Sequence, residues 1–220
     1  MNVPDYPLEE MLRRIEDAIL PFPKAAMFAL REQGFDTLFE QLISCIISIR
    51  TLDETTLPVS LRLFQKARTP ETILSLGREP LAHLLEGSTF PGQKADTIRT
   101  VAEAAVQHGG QLPQTFDALT ALKGVGPKCA NLALGVALNV PAISVDIHVH
   151  RVVNRWGLVQ TSTPEKTLKV LEAIIPENRW TDINRDLMPF GKFICTGTLP
   201  KCSTCPVAQW CKRIGVTRHR

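Results

Sequence analysis

The sequence LKGVGPK, residues 122–128, constrains the fold more than any other stretch, because it interrupts two apolar helical patterns with two glycines and a proline. Gly124 and Gly126 allow a tight turn, since glycine adopts backbone conformations that a Cβ disfavours. Pro127 has a fixed φ and no N–H, which suits the first position of a helix. The stretch predicts a helix, a hairpin and a second helix that begins near Gly126 or Pro127.

The start of that second helix is suited to binding a phosphate. Its first backbone N–H groups have no partner within the helix, and the positive end of the helix dipole lies there. The glycines allow a phosphate to approach closely, and a lysine adds charge. We therefore expect the hairpin to hold a backbone phosphate without reading base sequence. The hairpin residues are Lys123, Gly124, Val125 and Gly126.

An amine and a carboxylate follow the hairpin. Lys128 lies in the first turn of the second helix, where the dipole and apolar surroundings disfavour the ammonium and lower its pKa. A neutral amine is a nucleophile. Asp146 precedes a helix predicted from Ile147 to Trp156 and suits its N-cap. Together they indicate Schiff-base chemistry on a sugar-phosphate chain; a surface lysine and a plain helix cap are the alternative.

The remaining patterns indicate an all-α fold without repeats. Thr37 to Glu40 forms a capping box that opens a helix through Ile47. No apolar run reaches the roughly 18 residues of a membrane span, and the N-terminus lacks the apolar core of a signal peptide, so we expect a cytoplasmic protein. Further helices are predicted at residues 7–20, 53–66, 69–76, 80–85, 93–108, 115–122, 163–175 and 177–193.

Charge is distributed unevenly along the chain. Residues 121–220 hold 14 Lys and Arg against 6 Asp and Glu, a net charge of +8, whereas residues 1–120, with 11 against 16, carry −5. The basic half contains the hairpin. This asymmetry favours a polyanionic partner, with ordinary solvated surfaces as the alternative.

Four of the six cysteines form the array C-x6-C-x2-C-x5-C near the C-terminus. Disulfides are not expected in an intracellular chain. Structural zinc more often uses two close cysteine pairs, whereas a compact four-thiolate loop suits a [4Fe–4S] cluster, so ligand type alone leaves both open. The remaining two, Cys45 and Cys129, fall in apolar helical surroundings and are predicted core residues. The predicted metal ligands are Cys195, Cys202, Cys205 and Cys211.

The segments LKGVGPKCAN and VDIHVHRVVNR, together with the cysteine spacing, resemble the endonuclease III family of DNA glycosylases from about residue 30 to Cys211. The resemblance implies that Lys128 attacks the sugar C1′, that Asp146 assists and that the four cysteines hold a [4Fe–4S] cluster. It also implies two all-α lobes, a six-helix barrel of residues 31–140 and a cluster lobe of residues 1–30 with 141–220. A monomer would bind double-stranded DNA containing damaged bases or abasic sites, with the target base flipped out.

Two positions depart from the family pattern. Where relatives commonly have alanine and glutamine after the Leu/Ile-rich helix, this chain has Ile49 and Arg50, and the loop that inserts a leucine in relatives carries Phe90. We hypothesise that Arg50 and Phe90 fill the gap left by the flipped base. A groove-facing cation and a core aromatic are the alternative. Because arginine only donates, Arg50 would favour an orphaned guanine over adenine.

The resemblance thus implies a bifunctional DNA glycosylase and abasic-site lyase that removes damaged, mainly oxidised, pyrimidines. One alternative is a monofunctional adenine or mismatch glycosylase of the same superfamily, but such proteins usually lack a lysine at the position of Lys128. The other is a non-catalytic DNA-binding iron–sulfur protein, which has no need for both Lys128 and Asp146.

Overall fold

The computed structural model describes residues 6–220, and every regular element in that range is helical, which confirms the all-α prediction. Residues 1–5, part of the segment behind the localisation prediction, lie outside the described residues. No described helix is long and apolar enough to cross a membrane. The α-helices are α1 (Leu8–Ile19), α2 (Ala26–Glu32), α3 (Leu38–Ser48), α4 (Asp53–Phe64), α5 (Pro70–Ser75), α6 (Arg78–Leu84), α7 (Pro91–Gln107), α8 (Phe116–Thr120), α9 (Pro127–Leu138), α10 (Ile147–Trp156), α11 (Pro164–Ile174) and α12 (Trp180–Phe193). Short 3-10 turns cover Glu177–Arg179, Cys202–Thr204 and Ala208–Trp210.

The helices group into two compact units. One runs from Ala26 to Val140, and the other combines the segment up to Ala25 with Pro141–Arg220. Contacts therefore assign α2 to the first unit, because its apolar side chains pack into that core. The domain division at residue 31, with a six-helix barrel, stays a prediction.

The unit that holds the hairpin is built around α3. The predicted capping box starts this helix: Thr37 Oγ1 accepts the Glu40 N–H at 3.2 Å, and Glu40 Oε2 accepts the Thr37 N–H at 3.0 Å. Every residue from Leu38 to Ile47 is buried, because α2, α4, α7 and α9 all pack against α3. Side chains on α3 and α9 are thus held in fixed register.

The second unit is built around α10 and α12. Trp156 and Phe190 are almost fully buried, with ring centroids 6.3 Å apart. α1 packs on α12, and α11 packs on α10. The cysteine loop follows α12, so this core supports the residues predicted to bind metal.

The structure differs from the sequence-based helices at several ends. α2 is not among the predicted helices, since seven residues between Pro23 and Gly34 are too few to show a helical period. The segment predicted as one helix from Glu177 begins instead as a 3-10 turn, and α12 starts at Trp180. α7 starts at Pro91, inside the predicted loop, because proline suits the first turn of a helix.

Candidate active site and nucleic-acid interface

Lys128 is the second residue of α9 and follows the hairpin directly. Pro127 opens the helix, as predicted, and Gly126 is its extended N-cap. The lysine side chain is half-buried, and its Nζ donates a hydrogen bond to Cys45 Sγ at 3.5 Å. The Lys128 amine is thus held against α3 and is not fully exposed to solvent.

Cys45 is a partner of Lys128 that sequence reasoning missed. Both Cys45 on α3 and Cys129 on α9 are core residues, as predicted. Burial raises the pKa of the Cys45 thiol, but the hydrogen bond with Cys129 and the nearby Lys128 cation outweigh burial and lower that pKa below its usual value. The same thiol pairing, with burial, raises the pKa of Cys129. The arrangement places a buried pair of thiols beside the Lys128 amine.

The hairpin has the tight turn that its glycines predict. Gly124 has φ +88°, and a Cβ there would lie 2.6 Å from Thr97 Cγ2, so only glycine fits. Gly126 and Lys123 are exposed. Val125 is buried, and its N–H donates to the Leu122 carbonyl at 3.0 Å. Val125 therefore anchors the hairpin in the core, while the backbone of Gly124 and Gly126 and the Lys123 side chain remain exposed.

Asp146 is the N-cap of α10, as predicted. Its Oδ1 accepts the N–H groups of His148 and Val149, both at 2.8 Å. These two bonds fix the orientation of the carboxylate at the helix start, where the helix dipole favours its negative charge.

Arg50 and Phe90 lie in two neighbouring exposed segments of the same unit. Both have a left-handed backbone, each with φ +54°, which is uncommon for residues other than glycine. Phe90 is 52% exposed, so it is not a core aromatic. The Thr89 hydroxyl donates to the Arg50 carbonyl, and Thr51 Oγ1 lies 2.9 Å from Thr89 Oγ1. The structure therefore brings together two residues that are 40 positions apart in sequence.

The four C-terminal cysteines line one cavity in the second unit, together with apolar side chains that include Trp156 and Ile194. All four are free thiols. Burial raises the pKa of Cys205 to about 11, so this thiol stays protonated unless a cation binds it. Burial also raises the pKa of Cys202 and of Cys211.

This donor set fits an iron–sulfur cluster. The Arg155 guanidinium donates to Cys195 Sγ at 3.5 Å, and the Arg213 N–H donates to Cys211 Sγ at 3.3 Å, as expected around thiolates. Within residues 6–220 no three His, Cys, Asp or Glu side chains are close enough to hold a single metal ion.

Comparisons with known proteins agree with this geometry. Residues 43–177 match the HhH-GPD superfamily base excision DNA repair protein family. The chain is 39% identical over 175 residues to endonuclease III of Thermotoga maritima, covering 79% of this chain and 82% of the relative. It is 37% identical over 183 residues to chloroplastic endonuclease III homolog 2 of Arabidopsis thaliana, covering 79% of this chain but 47% of that relative. A solved trapped endonuclease III–DNA covalent intermediate matches with a TM-score of 0.79 at 28% identity, covering 94% of each chain.

Proposed function

Because the chain belongs to the endonuclease III family of the HhH-GPD superfamily, we propose that it is a bifunctional DNA glycosylase and abasic-site lyase in base excision repair. The substrate is double-stranded DNA with damaged, mainly oxidised, pyrimidines or abasic sites. The protein acts as a monomer in the cytoplasm, at the nucleoid. The observation that carries this proposal is the half-buried Lys128 amine at the start of α9, directly after the glycine hairpin.

The hairpin positions the substrate. The exposed backbone at Gly124 and Gly126, with Lys123, binds a phosphate of the damaged strand through charge and N–H groups rather than base contacts. Lys128 follows the hairpin within one turn of helix. Its amine is therefore held close to the phosphate that the hairpin binds. This proximity supports attack on the sugar of a flipped nucleotide.

Lys128 supplies the nucleophile. Its neutral amine attacks C1′, a C–N bond forms, and the glycosidic bond breaks so that the base leaves with the bonding electrons. Ring opening then gives an imine between Lys128 and C1′. Loss of a proton from C2′ and cleavage of the C3′–O bond nick the strand by β-elimination. A trapped endonuclease III–DNA covalent intermediate among the solved relatives supports this assignment.

Asp146 has an electrostatic role. Its Oδ1 is oriented by two backbone N–H groups, which leaves Oδ2 as the atom we assign to the substrate. A carboxylate there stabilises the positive charge that develops on the sugar or helps to activate the amine.

The four cysteines Cys195, Cys202, Cys205 and Cys211 hold a [4Fe–4S] cluster in this proposal. Four thiolates from one loop would hold the cluster, which would cross-link that loop structurally rather than take part in making bonds. The shared cavity and the N–H donors to Cys195 and Cys211 support this.

We expect purified protein to be brown and to contain about four irons per chain, because four thiolates bind a four-iron cluster. Iron and zinc are measured on the same sample. Cys202→Ala should reduce the yield of soluble protein, whereas Cys129→Ala, which removes a thiol of the other unit, should keep full iron content. Colourless, zinc-loaded and active protein would overturn the cluster assignment.

The proposed activity is tested on duplexes that carry thymine glycol, dihydrouracil, uracil, 8-oxoguanine or a plain abasic site. We expect base release with strand cleavage at the two oxidised or reduced pyrimidines, and cleavage at the abasic site. Release of the base without nicking would favour the monofunctional alternative, and binding without either product would favour the non-catalytic one. Placing one lesion opposite each of the four bases then tests the guanine preference expected from Arg50.

A further inference from the structure

Lys94 is a buried cation that the proposed chemistry does not use. It lies in the first turn of α7 and is only 6% exposed. Burial lowers its pKa to about 8, so the ammonium has lost much of its hydration. No carboxylate pairs with Lys94 anywhere in the described chain, residues 6–220. A lysine without a counter-ion in a core is costly, and its placement therefore needs a reason.

Lys94 bonds to both segments that carry the exposed residues Arg50 and Phe90. Its Nζ donates to the Ile47 carbonyl at 2.6 Å and to Thr51 Oγ1 at 2.7 Å, which fixes the end of α3 and the turn after it. Its backbone N–H donates to the Phe90 carbonyl at 3.1 Å. A single residue thus reaches across from one segment to the other.

The hydroxyls between these segments form a directed chain of hydrogen bonds. Thr51 Oγ1 accepts from Lys94 Nζ and from the Thr89 N–H at 3.1 Å. Thr89 Oγ1 donates its one proton to the Arg50 carbonyl, so it must accept from Thr51 across the 2.9 Å contact. Each hydroxyl is then satisfied, and the chain runs from Lys94 through Thr51 and Thr89 to the Arg50 backbone.

Beside these half-buried hydroxyls, the exposed residues Arg50 and Phe90 have strained backbone conformations. Arg50 and Phe90 both have φ +54°, and Ile49 beside them is 43% exposed. Left-handed backbones of bulky residues persist only where surrounding contacts hold them. The network that starts at Lys94 provides those contacts at both positions.

We infer that Lys94 is a positioning residue that holds the Arg50 and Phe90 segments together, so that both side chains enter DNA as one rigid wedge beside the flipped nucleotide. This inference rests on the proposed glycosylase function. A rigid wedge recovers part of the stacking and pairing energy that is lost when the base flips out. If the Arg50 and Phe90 side chains moved independently, they would recover less of that energy. Loss of the Lys94 side chain should therefore slow the reaction when the base must be extruded from a paired duplex. It should have little effect on the rate when the base is already unpaired.

The test compares two substrates that carry the same lesion, one in a fully paired duplex and one in a short mismatched bubble flanked by duplex. Lys94→Met keeps the length of the side chain and removes the donor. We expect its single-turnover rate to fall about 10- to 100-fold on the duplex and to change little on the bubble. The matched control is Gln41→Met, because Gln41 is also fully buried in this unit and donates to two backbone carbonyls, those of Met27 and Phe35. It should leave the ratio of the duplex rate to the bubble rate unchanged.

A double-mutant cycle shows whether Lys94 acts through the wedge. In a variant with Arg50→Ala and Phe90→Ala, adding Lys94→Met should cause no further fall in the duplex-to-bubble ratio. If Lys94→Met is insoluble, Thr89→Val breaks the same chain at its exposed end and should shift the ratio in the same direction. If the wild type is active and these variants keep its duplex-to-bubble ratio, the role assigned to Lys94 is overturned, whereas the proposed function is not. A wild type that cleaves neither substrate overturns the proposed function instead.

Discussion

Lys128→Ala is expected to abolish borohydride trapping on abasic-site DNA, because alanine has no amine to form the reducible imine. DNA binding should be largely retained, since the hairpin glycines and Lys123 are unchanged. The measurements are the yield of the covalent complex on denaturing gels and the affinity for uncleavable abasic DNA. This is the largest effect we expect from any single substitution.

The matched control is Lys123→Ala, which removes an exposed lysine from the same hairpin. It should weaken DNA binding and make that binding less salt-dependent, yet give full trapping at saturating protein. Full trapping by Lys128→Ala would show that another amine is the nucleophile.

Asp146→Asn is expected to slow turnover about 10²–10⁴-fold at unchanged affinity, the usual contribution of a general base or electrostatic partner. Asparagine is an equally good N-cap, so its side-chain oxygen can keep the bonds to the His148 and Val149 N–H groups. The substitution therefore removes the charge without unwinding α10. Single-turnover rates and thermal denaturation should be measured on the same preparations.

Asp146→Ala separates the two roles of this residue. It should show the same loss of rate and, in addition, lose about 1 kcal/mol of stability because the cap is gone. If Asp146→Asn keeps the wild-type rate and only Asp146→Ala is affected, then Asp146 is a helix cap and takes no part in the reaction.

Local signals in the sequence predicted the elements that position the candidate site. The capping box at Thr37, the proline at the start of α9 and the N-cap at Asp146 each act within four residues, and the structure has all three. α2 was missed because its seven residues owe their helix to packing on α3, α4 and α9 rather than to a local signal.

Contacts between segments that are distant in sequence could not be predicted from the sequence alone. Cys45 lies 83 residues from Lys128, and only the packing of α3 on α9 brings its sulfur to the amine. The sequence suggested Arg50 and Phe90 as partners, but nothing in it indicated that Lys94, Thr51 and Thr89 connect them. Hydroxyl and ammonium side chains that bond to one another between segments have no periodic spacing in the sequence. Such hydrogen-bond networks are therefore seen only in the folded structure.

The central claim is that the Lys128 amine forms the covalent bond to DNA, and peptide mapping of the borohydride-trapped wild-type complex tests it most directly. Trypsin does not cleave after an alkylated lysine, so an adduct on Lys128 gives one peptide from Gly124 to Arg151 that carries the sugar remnant. We predict this peptide and fragment ions that place the added mass on Lys128. An adduct on any other lysine or on the N-terminal amine, with cleavage after Lys128 intact, would contradict the account.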